Sequence, residues 1–86
     1  MTNAIAVPLR GVIIPAAWDE QGRPTAVSLA AEDQREYRVW SRNAKGRLLL
    51  SLLSQRVVVD DYRLRQDDPN QPGVIVVARF RVLHDN

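Results

Sequence analysis

The chain has 86 residues, a length that suits one domain, and 45% of them are hydrophobic, enough to bury a core. It contains no cysteine, which excludes a disulfide framework, cysteine-type zinc sites and thiol chemistry. The net charge of +2 is too small by itself to indicate a polyanionic partner, although eleven arginines stand against a single lysine. Arginine binds phosphate and carboxylate groups in a bidentate manner, but such a bias can also follow from genome composition.

No targeting signal is evident in the sequence. The first ten residues lack both the basic region and the long apolar region of a secretory signal peptide. The longest apolar runs are far shorter than the roughly 20 residues that span a bilayer. We therefore expect a single domain over residues 1–86, with a core from about residue 7 to residue 83 and flexible termini, located in the cytoplasm and not in a membrane.

The first half of the chain predicts three β-strands. The segment 4–17 is rich in Val, Ile and Leu, and Gly11 near its centre indicates a bulge or a sharp bend. After a polar hairpin loop, the segments 25–31 and 36–40 both alternate apolar and polar residues with a period of two. The side chains predicted to face inward are Val27, Leu29, Tyr37 and Val39.

The period changes in the middle of the chain. Four leucines spaced i, i+1, i+4 and i+5 predict one face of a short helix. Ser41 or Asn43 is expected to cap this helix, and Gly46 should weaken its first turn. The helix is expected to end near Ser54–Gln55. The four leucines are Leu48, Leu49, Leu52 and Leu53.

Two more strands are predicted after the helix, because β-branched residues return there. One follows residues 57–64 and the other follows residues 74–83, separated by a loop rich in Asp, Asn and Pro. Alternation along the last strand places Arg79 and Arg81 on one face. The residues predicted on the opposite, inward face are Val74, Val76, Ala78, Phe80 and Val82.

The element order is therefore β-β-β-α-β-β, with a long first strand and one short helix between strands three and four. This order resembles that of the OB-fold, a mostly β, five-stranded Greek-key barrel, in the form found in small bacterial domains. The stretches 11–14 and 55–59 look like the hydrophobic strand starts of such domains. The resemblance covers about residues 7–83 and concerns topology alone. The chief alternative is an SH3-like barrel, which would have a short 3₁₀ turn in place of the leucine-striped helix.

The sequence offers few groups for catalysis or metal binding. His84, its one histidine, lies two residues from the C-terminus, and no glycine-rich phosphate-binding motif is present. Asp60 and Asp61 should point to opposite faces of a regular strand, and Asp67–Asp68 has the composition of a turn. We therefore expect a protein that is not an enzyme, with no catalytic residues, no metal site and no cofactor.

The resemblance to OB-folds implies a ligand surface across strands two and three, framed by the loops that join strands one and two and strands four and five. Single-strand binders of this fold stack bases on aromatic side chains and line the groove with cations. Ser28 and Ala30 would then form a flat floor. The implied ligand-binding residues are Trp18, Arg23, Arg38, Trp40, Arg63 and Arg65.

Other interpretations of these residues stay open. Trp18 could instead pack over the open end of the barrel, and Trp40 could pack over the start of the helix. Carboxylates in both framing loops, Asp19–Glu20 and Asp67–Asp68, would repel a phosphate backbone. We expect the chain to be a binding domain. Single-stranded nucleic acid is slightly favoured as its ligand, because many OB-folds bind it. The close alternative is a protein–protein interaction module or adaptor, since exposed Trp and Arg in a mixed-charge rim are typical of interfaces.

Overall fold

The computed structural model describes residues 7–84, in which five strands and one short helix follow the predicted order. The mostly β class, with the helix between the third and fourth strands, is confirmed. The elements are Leu9–Trp18 (β1), Pro24–Ala31 (β2), Glu36–Val39 (β3), Ala44–Leu50 (α1), Arg56–Arg65 (β4) and Gly73–Val82 (β5).

The strands close into a barrel in the order β1-β2-β3-β5-β4. Strand β1 pairs with β2 along one side and with β4 along the other, which closes the sheet on itself. Neighbouring strands are antiparallel except for β3 and β5, which pair in parallel. A closed five-stranded barrel with this connectivity is consistent with an OB-like topology.

The barrel interior is filled mainly by β-branched residues and leucines. They come from alternate positions of the strands, because successive strand residues point to opposite faces of a sheet. All four inward positions predicted on β2 and β3 are confirmed. The buried cluster consists of Ile13, Val27, Leu29, Tyr37, Val39, Leu49, Val57, Val59, Ile75 and Val77.

Gly11 allows two strands to approach each other closely. Its pairing with Ala31 of β2 is regular, and the register shifts in β1 fall later, within Pro15–Trp18. A side chain at Gly11 would overlap the carbonyl group of Ala30. The bulge is therefore not at the glycine, which serves close backbone approach instead.

The inward positions of β5 differ from those that simple alternation predicts. Before residue 78, the side chains in the core are those of Ile75 and Val77. After residue 78, the side chains of Phe80 and Val82 pack against the core. The register with β4 shifts at this point, and Ala78 has no paired partner there. An unpaired residue reverses the facing of every residue that follows it. The prediction is therefore wrong for Val74, Val76 and Ala78.

The same irregularity places Asp60 and Asp61 on the same side of the sheet, because they meet Arg81 and Arg79, which are two residues apart on β5. Arg81 donates from its Nε and a terminal nitrogen to the two carboxylate oxygens of Asp60, at 2.8 and 3.1 Å, which lowers the pKa of Asp60. Asp61 lies opposite Arg79 on β5. Strand β4 is thus not regular here, and each aspartate is matched with an arginine of the neighbouring strand.

Helix α1 is fixed to the barrel through its N-cap. The Asn43 side chain accepts a hydrogen bond from the Gly46 N–H at 2.9 Å, as an N-cap does. Its Nδ2 donates to the Val77 carbonyl oxygen of β5 at 2.8 Å. Of the two predicted caps, Asn43 is therefore the one that acts, and it also ties the helix to a strand.

The leucines after Gly46 do not all face the core. Leu49 is fully buried and Leu52 and Leu53 pack partly against the core, but Leu48 is 49% exposed. The helix ends at Leu50, earlier than predicted, and turns follow. The predicted stripe is therefore wrong at Leu48, which lies within the helix but faces solvent.

The turn between β2 and β3 contains a hydrogen bond to a charged group. The Tyr37 hydroxyl donates to Oδ2 of Asp33 at 2.7 Å, and Oδ1 accepts from the Arg35 N–H at 2.9 Å. The bond from Tyr37 is the main reason that the pKa of Asp33 falls below its ordinary value of 3.8. Burial is the main reason that the pKa of Tyr37 rises. The pair therefore contributes stability that depends on the ionised carboxylate.

We predict that Tyr37→Phe lowers the free energy of unfolding by about 1 kcal/mol at neutral pH, a modest value because Asp33 is exposed. A depressed folded pKa contributes stability that is present above the unfolded pKa and is lost as the pH falls through the folded pKa. The difference in the free energy of unfolding between Tyr37→Phe and the wild-type protein should therefore become smaller below about pH 4. Urea unfolding of both proteins at about pH 7 and about pH 3 measures this difference.

Tyr62→Phe is the matched control for this prediction. The Tyr62 hydroxyl donates to the neutral carbonyl oxygen of Val7 at 2.8 Å, so its contribution should be the same at both pH values. A Tyr37→Phe effect that shows no more pH dependence than that of Tyr62→Phe would contradict the predicted role of Asp33.

Candidate functional site

One row of outward-facing residues crosses all five strands of the barrel. Paired residues of neighbouring strands share a face of the sheet, and the strands lie about 4.8 Å apart. Arg38 and Arg65 therefore flank Val74 with about 10 Å between their backbones. In order of pairing from β1 to β4, the row consists of Ile14, Ser28, Arg38, Val74 and Arg65.

Trp40 directly follows β3 and presents its ring on the same side of the barrel. The backbone N–H of Trp40 donates to the Ile75 carbonyl oxygen of β5 at 2.9 Å, and its backbone carbonyl group abuts Gly46 of the helix. The ring is 37% exposed, and the Arg42 guanidinium lies 5.6 Å from its centroid, within the range of a cation–π contact. Trp40 is thus an exposed aromatic surface on a fixed backbone.

A cavity of about 270 Å³ lies between β5, the end of β4 and this tryptophan. Its walls are Trp40, Arg65, Asp67 and Val74, and we call it the Trp40 cavity. It combines an aromatic ring, an apolar floor, one cation and one carboxylate. Such a mixture of a mainly apolar surface with a few polar groups is typical of sites for small ligands or single groups of a larger one.

Two larger cavities lie near the loops around the start of β3. One, of about 550 Å³, is bounded by the loop before β5, where the Gln66 amide donates to the Gln71 carbonyl oxygen at 2.8 Å. The other, of about 360 Å³, contains Tyr37 and Tyr62, whose hydroxyls already donate to protein oxygens. Of these three cavities, the Trp40 cavity is the one lined by predicted ligand-binding residues, Trp40 and Arg65, which makes it the better candidate.

The arginines around the Trp40 cavity have no ion-pair partner in the described part of the chain. Among residues 7–84, no ion pair involves Arg38, Arg63 or Arg65. Arg63 lies opposite Val76, one outward position along β4 from Arg65. The outer face of β3, β5 and β4 therefore carries free positive charge beside an exposed tryptophan.

The structure brings together four of the six predicted site residues. Arg38, Trp40, Arg63 and Arg65 share this outer face. Trp18 and Arg23 do not join them, because they lie at the tip of the β1–β2 hairpin. Trp18 pairs with Pro24, four residues along β2 from the row described above, or about 13 Å.

Trp18 is exposed at the hairpin tip and does not plug the barrel. Its side chain is 59% accessible to solvent. The adjacent turn is formed by Asp19, whose Oδ1 accepts hydrogen bonds from the N–H groups of Gln21 and Arg23, both at 2.9 Å. Asp19 therefore has a structural role in the turn, and Trp18 forms a second exposed aromatic site.

The predicted floor at Ser28 is not accessible. Ser28 is fully buried, and its hydroxyl has no hydrogen-bond partner among residues 7–84. Its row neighbours, Ile14 and Arg38, have much longer side chains and flank this small residue on both sides. The floor of the site is instead Val74, together with its neighbour Val76 on β5.

Sequence reasoning missed three residues of the site. Val74 was assigned to the core, because the change of phase at Ala78 depends on pairing with β4. Arg42 could have been found from its spacing, since it follows Arg38 and Trp40 at intervals of two. The sequence predicts that Asp67 lies in a turn and repels phosphate, and its place in the cavity wall depends on how the last loop folds.

No protein-family model matches this chain, and no curated protein or solved structure matches it. Within residues 7–84, no three His, Asp or Glu side chains converge in the way that a metal ion would require. The helix in this part of the chain is too short to cross a membrane. The chemistry of the Trp40 cavity is therefore the principal guide to function.

Proposed function

We propose that this chain is a non-enzymatic binding domain that holds single-stranded nucleic acid on the outer face of β3, β5 and β4. The observation that carries the proposal is the exposed Trp40 ring, set beside arginines that have no ion-pair partner among residues 7–84. Sequence-tolerant binders of single strands combine these two features, since bases stack on aromatic rings and cations follow the backbone.

The backbone of Trp40 is fixed before any ligand binds. The backbone N–H of Trp40 donates a hydrogen bond to Ile75, and the capped first turn of the helix lies against the backbone carbonyl of Trp40. A ring on a fixed backbone loses little freedom when a base stacks on it, which favours affinity. Stacking of one base on such a ring is worth about 1–3 kcal/mol.

The arginines suit the phosphates that flank a stacked base. Arg38 and Arg65 lie on either side of Val74, and Arg63 extends the charge along β4. Three phosphate contacts on a single strand would give a slope of about −2 in a plot of log affinity against log salt concentration. The fold adds support by analogy for part of this surface, because OB-folds bind oligonucleotides across strands two and three and against the loop between strands four and five, and β3 and that loop border the proposed site.

A different observation favours protein binding as the second candidate. Trp18 is 59% exposed at the projecting hairpin tip, next to Asp19 and Glu20. Exposed tryptophan is among the commonest residues at interface hot spots, and the adjacent carboxylates disfavour a phosphate backbone at this place. The two candidates therefore use different tryptophans, which makes them separable by experiment.

The test is a tryptophan fluorescence titration with a short single-stranded oligonucleotide at two salt concentrations. In Trp18→Phe, the emission comes from Trp40 and should be quenched at low salt, with affinity falling along the slope given above. In Trp40→Phe, the emission comes from Trp18 and should stay unchanged when the oligonucleotide is added. A flat titration of Trp18→Phe at low salt would overturn the proposal.

Arg65→Ala and Arg23→Ala form the matched pair for the electrostatic part of the proposal. Removing a phosphate contact should reduce the magnitude of the salt slope by about 0.7, which we expect for Arg65→Ala. Arg23 is an exposed arginine at the hairpin tip, so Arg23→Ala should leave the slope as it is. Equal slopes for the two variants would contradict the assigned position of the strand.

A further inference from the structure

The Trp40 cavity contains a carboxylate that the protein itself does not use. Asp67 lines the cavity, and no hydrogen bond or ion pair within residues 7–84 engages its side chain. The adjacent Asp68 differs, because its Oδ1 accepts a hydrogen bond from the Asn70 N–H at 2.9 Å and shapes the loop. Of the two neighbouring carboxylates, one is structural and the other is free to meet a ligand.

A carboxylate disfavours phosphate but accepts hydrogen bonds from the edge of a base. Guanine, adenine and cytosine each carry an exocyclic amino group, whereas thymine and uracil present carbonyl oxygens in its place. Carboxylate side chains accept from such amino groups, as Asp and Glu do with cytosine. Guanine additionally places a ring N–H beside its amino group, so that both carboxylate oxygens can accept.

The other walls of the cavity suit one base. Its volume of about 270 Å³ is slightly below the roughly 300 Å³ at which sites for drug-sized ligands begin. Trp40 supplies a stacking face, Val74 an apolar floor and Arg65 a cation for the adjoining phosphate. The carboxylate at the edge of this space is the group that can distinguish one base from another.

We infer that the Trp40 cavity selects a base that carries an amino group, guanine foremost, and that Asp67 is the residue that determines this specificity. The inference rests on the proposed function and deepens it, since it assigns base preference to a surface otherwise suited to any single strand. It also gives the acidic residue of the last loop a positive role in recognition.

The test compares short thymidine oligonucleotides that carry one central guanosine, adenosine or cytidine with the unsubstituted thymidine strand. We expect the wild-type protein to bind the guanosine strand about fivefold more tightly or better, at the low end for a base contact because the cavity is open. Asp67→Asn should lose this ratio, since its amide also offers donors to the thymidine carbonyl oxygens.

Asp68→Asn is the matched control, with the same change of charge in the same loop. Its amide oxygen can still accept from Asn70, so the loop should keep its shape and the affinity ratio should persist. Both variants lose one negative charge and should therefore bind the unsubstituted thymidine strand more tightly. The ratio between strands therefore separates base recognition from general electrostatics, and thermal unfolding verifies that both variants are folded.

The possible failures are distinguishable. Equal affinity of the wild-type protein for all four strands would overturn the selectivity and leave single-strand binding in place. A preference that survives in Asp67→Asn would also overturn the inference, because another group would then read the base. Binding of none of the strands at low salt would overturn the proposed function itself.

Discussion

Leu49→Ala is expected to destabilise the protein by about 2–5 kcal/mol. Leu49 is fully buried within the core cluster and is carried by the helix between β3 and β4. Removing its side chain takes away buried apolar surface and leaves a cavity that the surrounding strands can fill only in part. Urea unfolding followed by circular dichroism measures the loss as a shift of the midpoint.

Leu48→Ala provides the control within the same helix. The Leu48 side chain is 49% exposed, so its truncation should change the free energy of unfolding by no more than about 0.5 kcal/mol. The two substitutions remove the same atoms from adjacent residues. Similar losses for both would contradict a helix orientation in which Leu49 faces the core and Leu48 faces solvent. The expected difference between the two variants is a large part of the total stability of such a domain, which is about 5–15 kcal/mol.

The second large effect is expected for Gly46→Ala, with a destabilisation of about 1–3 kcal/mol or more. A methyl group at this position would overlap the carbonyl oxygen of Trp40 and lie 2.8 Å from Oδ1 of the Asn43 cap. The obstacle is backbone, which a change of rotamer does not remove. The helix would have to move away from the end of β3, and the N-cap bond would weaken.

Helix propensity alone predicts the opposite sign for this substitution. Alanine in a helix is more favourable than glycine by about 1 kcal/mol when nothing else changes. A stabilised Gly46→Ala would therefore show that the contact between the helix and Trp40 is not present in solution. The indole N–H resonances provide a second measurement, in which Trp40 should shift and Trp18, at the distant hairpin tip, should not.

Much of the fold could be predicted because it depends on local patterns. The alternation around Val27–Leu29 and Tyr37–Val39 is short and unbroken, and the structure has these residues where the pattern indicates. The facing of β5 could not be predicted, since it reverses at Ala78 through the register with β4. Similarly, the spacing of the leucines gives no sign that the helix stops at Leu50.

The candidate site was predictable to the extent that it lies on single strands. Arg38 and Trp40 alternate with core residues of β3, and the same reasoning places Arg63 and Arg65 on β4. These four residues lie together around Val74 because β3 pairs in parallel with β5, which joins distant parts of the chain. No local signal in the sequence specifies that pairing.

The short parallel ladder between β3 and β5 has a consequence for when the ligand surface exists. Residues 37–39 meet residues 73–75 there, and the tryptophan beyond β3 is anchored to the same late strand. An incomplete chain that ends before β5 therefore lacks both the floor of the cavity and the anchor of its aromatic wall. On the proposed function, occupancy of this surface would be coupled thermodynamically to closure of the whole barrel, so that bound single-stranded nucleic acid would stabilise the entire domain against unfolding and not one hairpin of it.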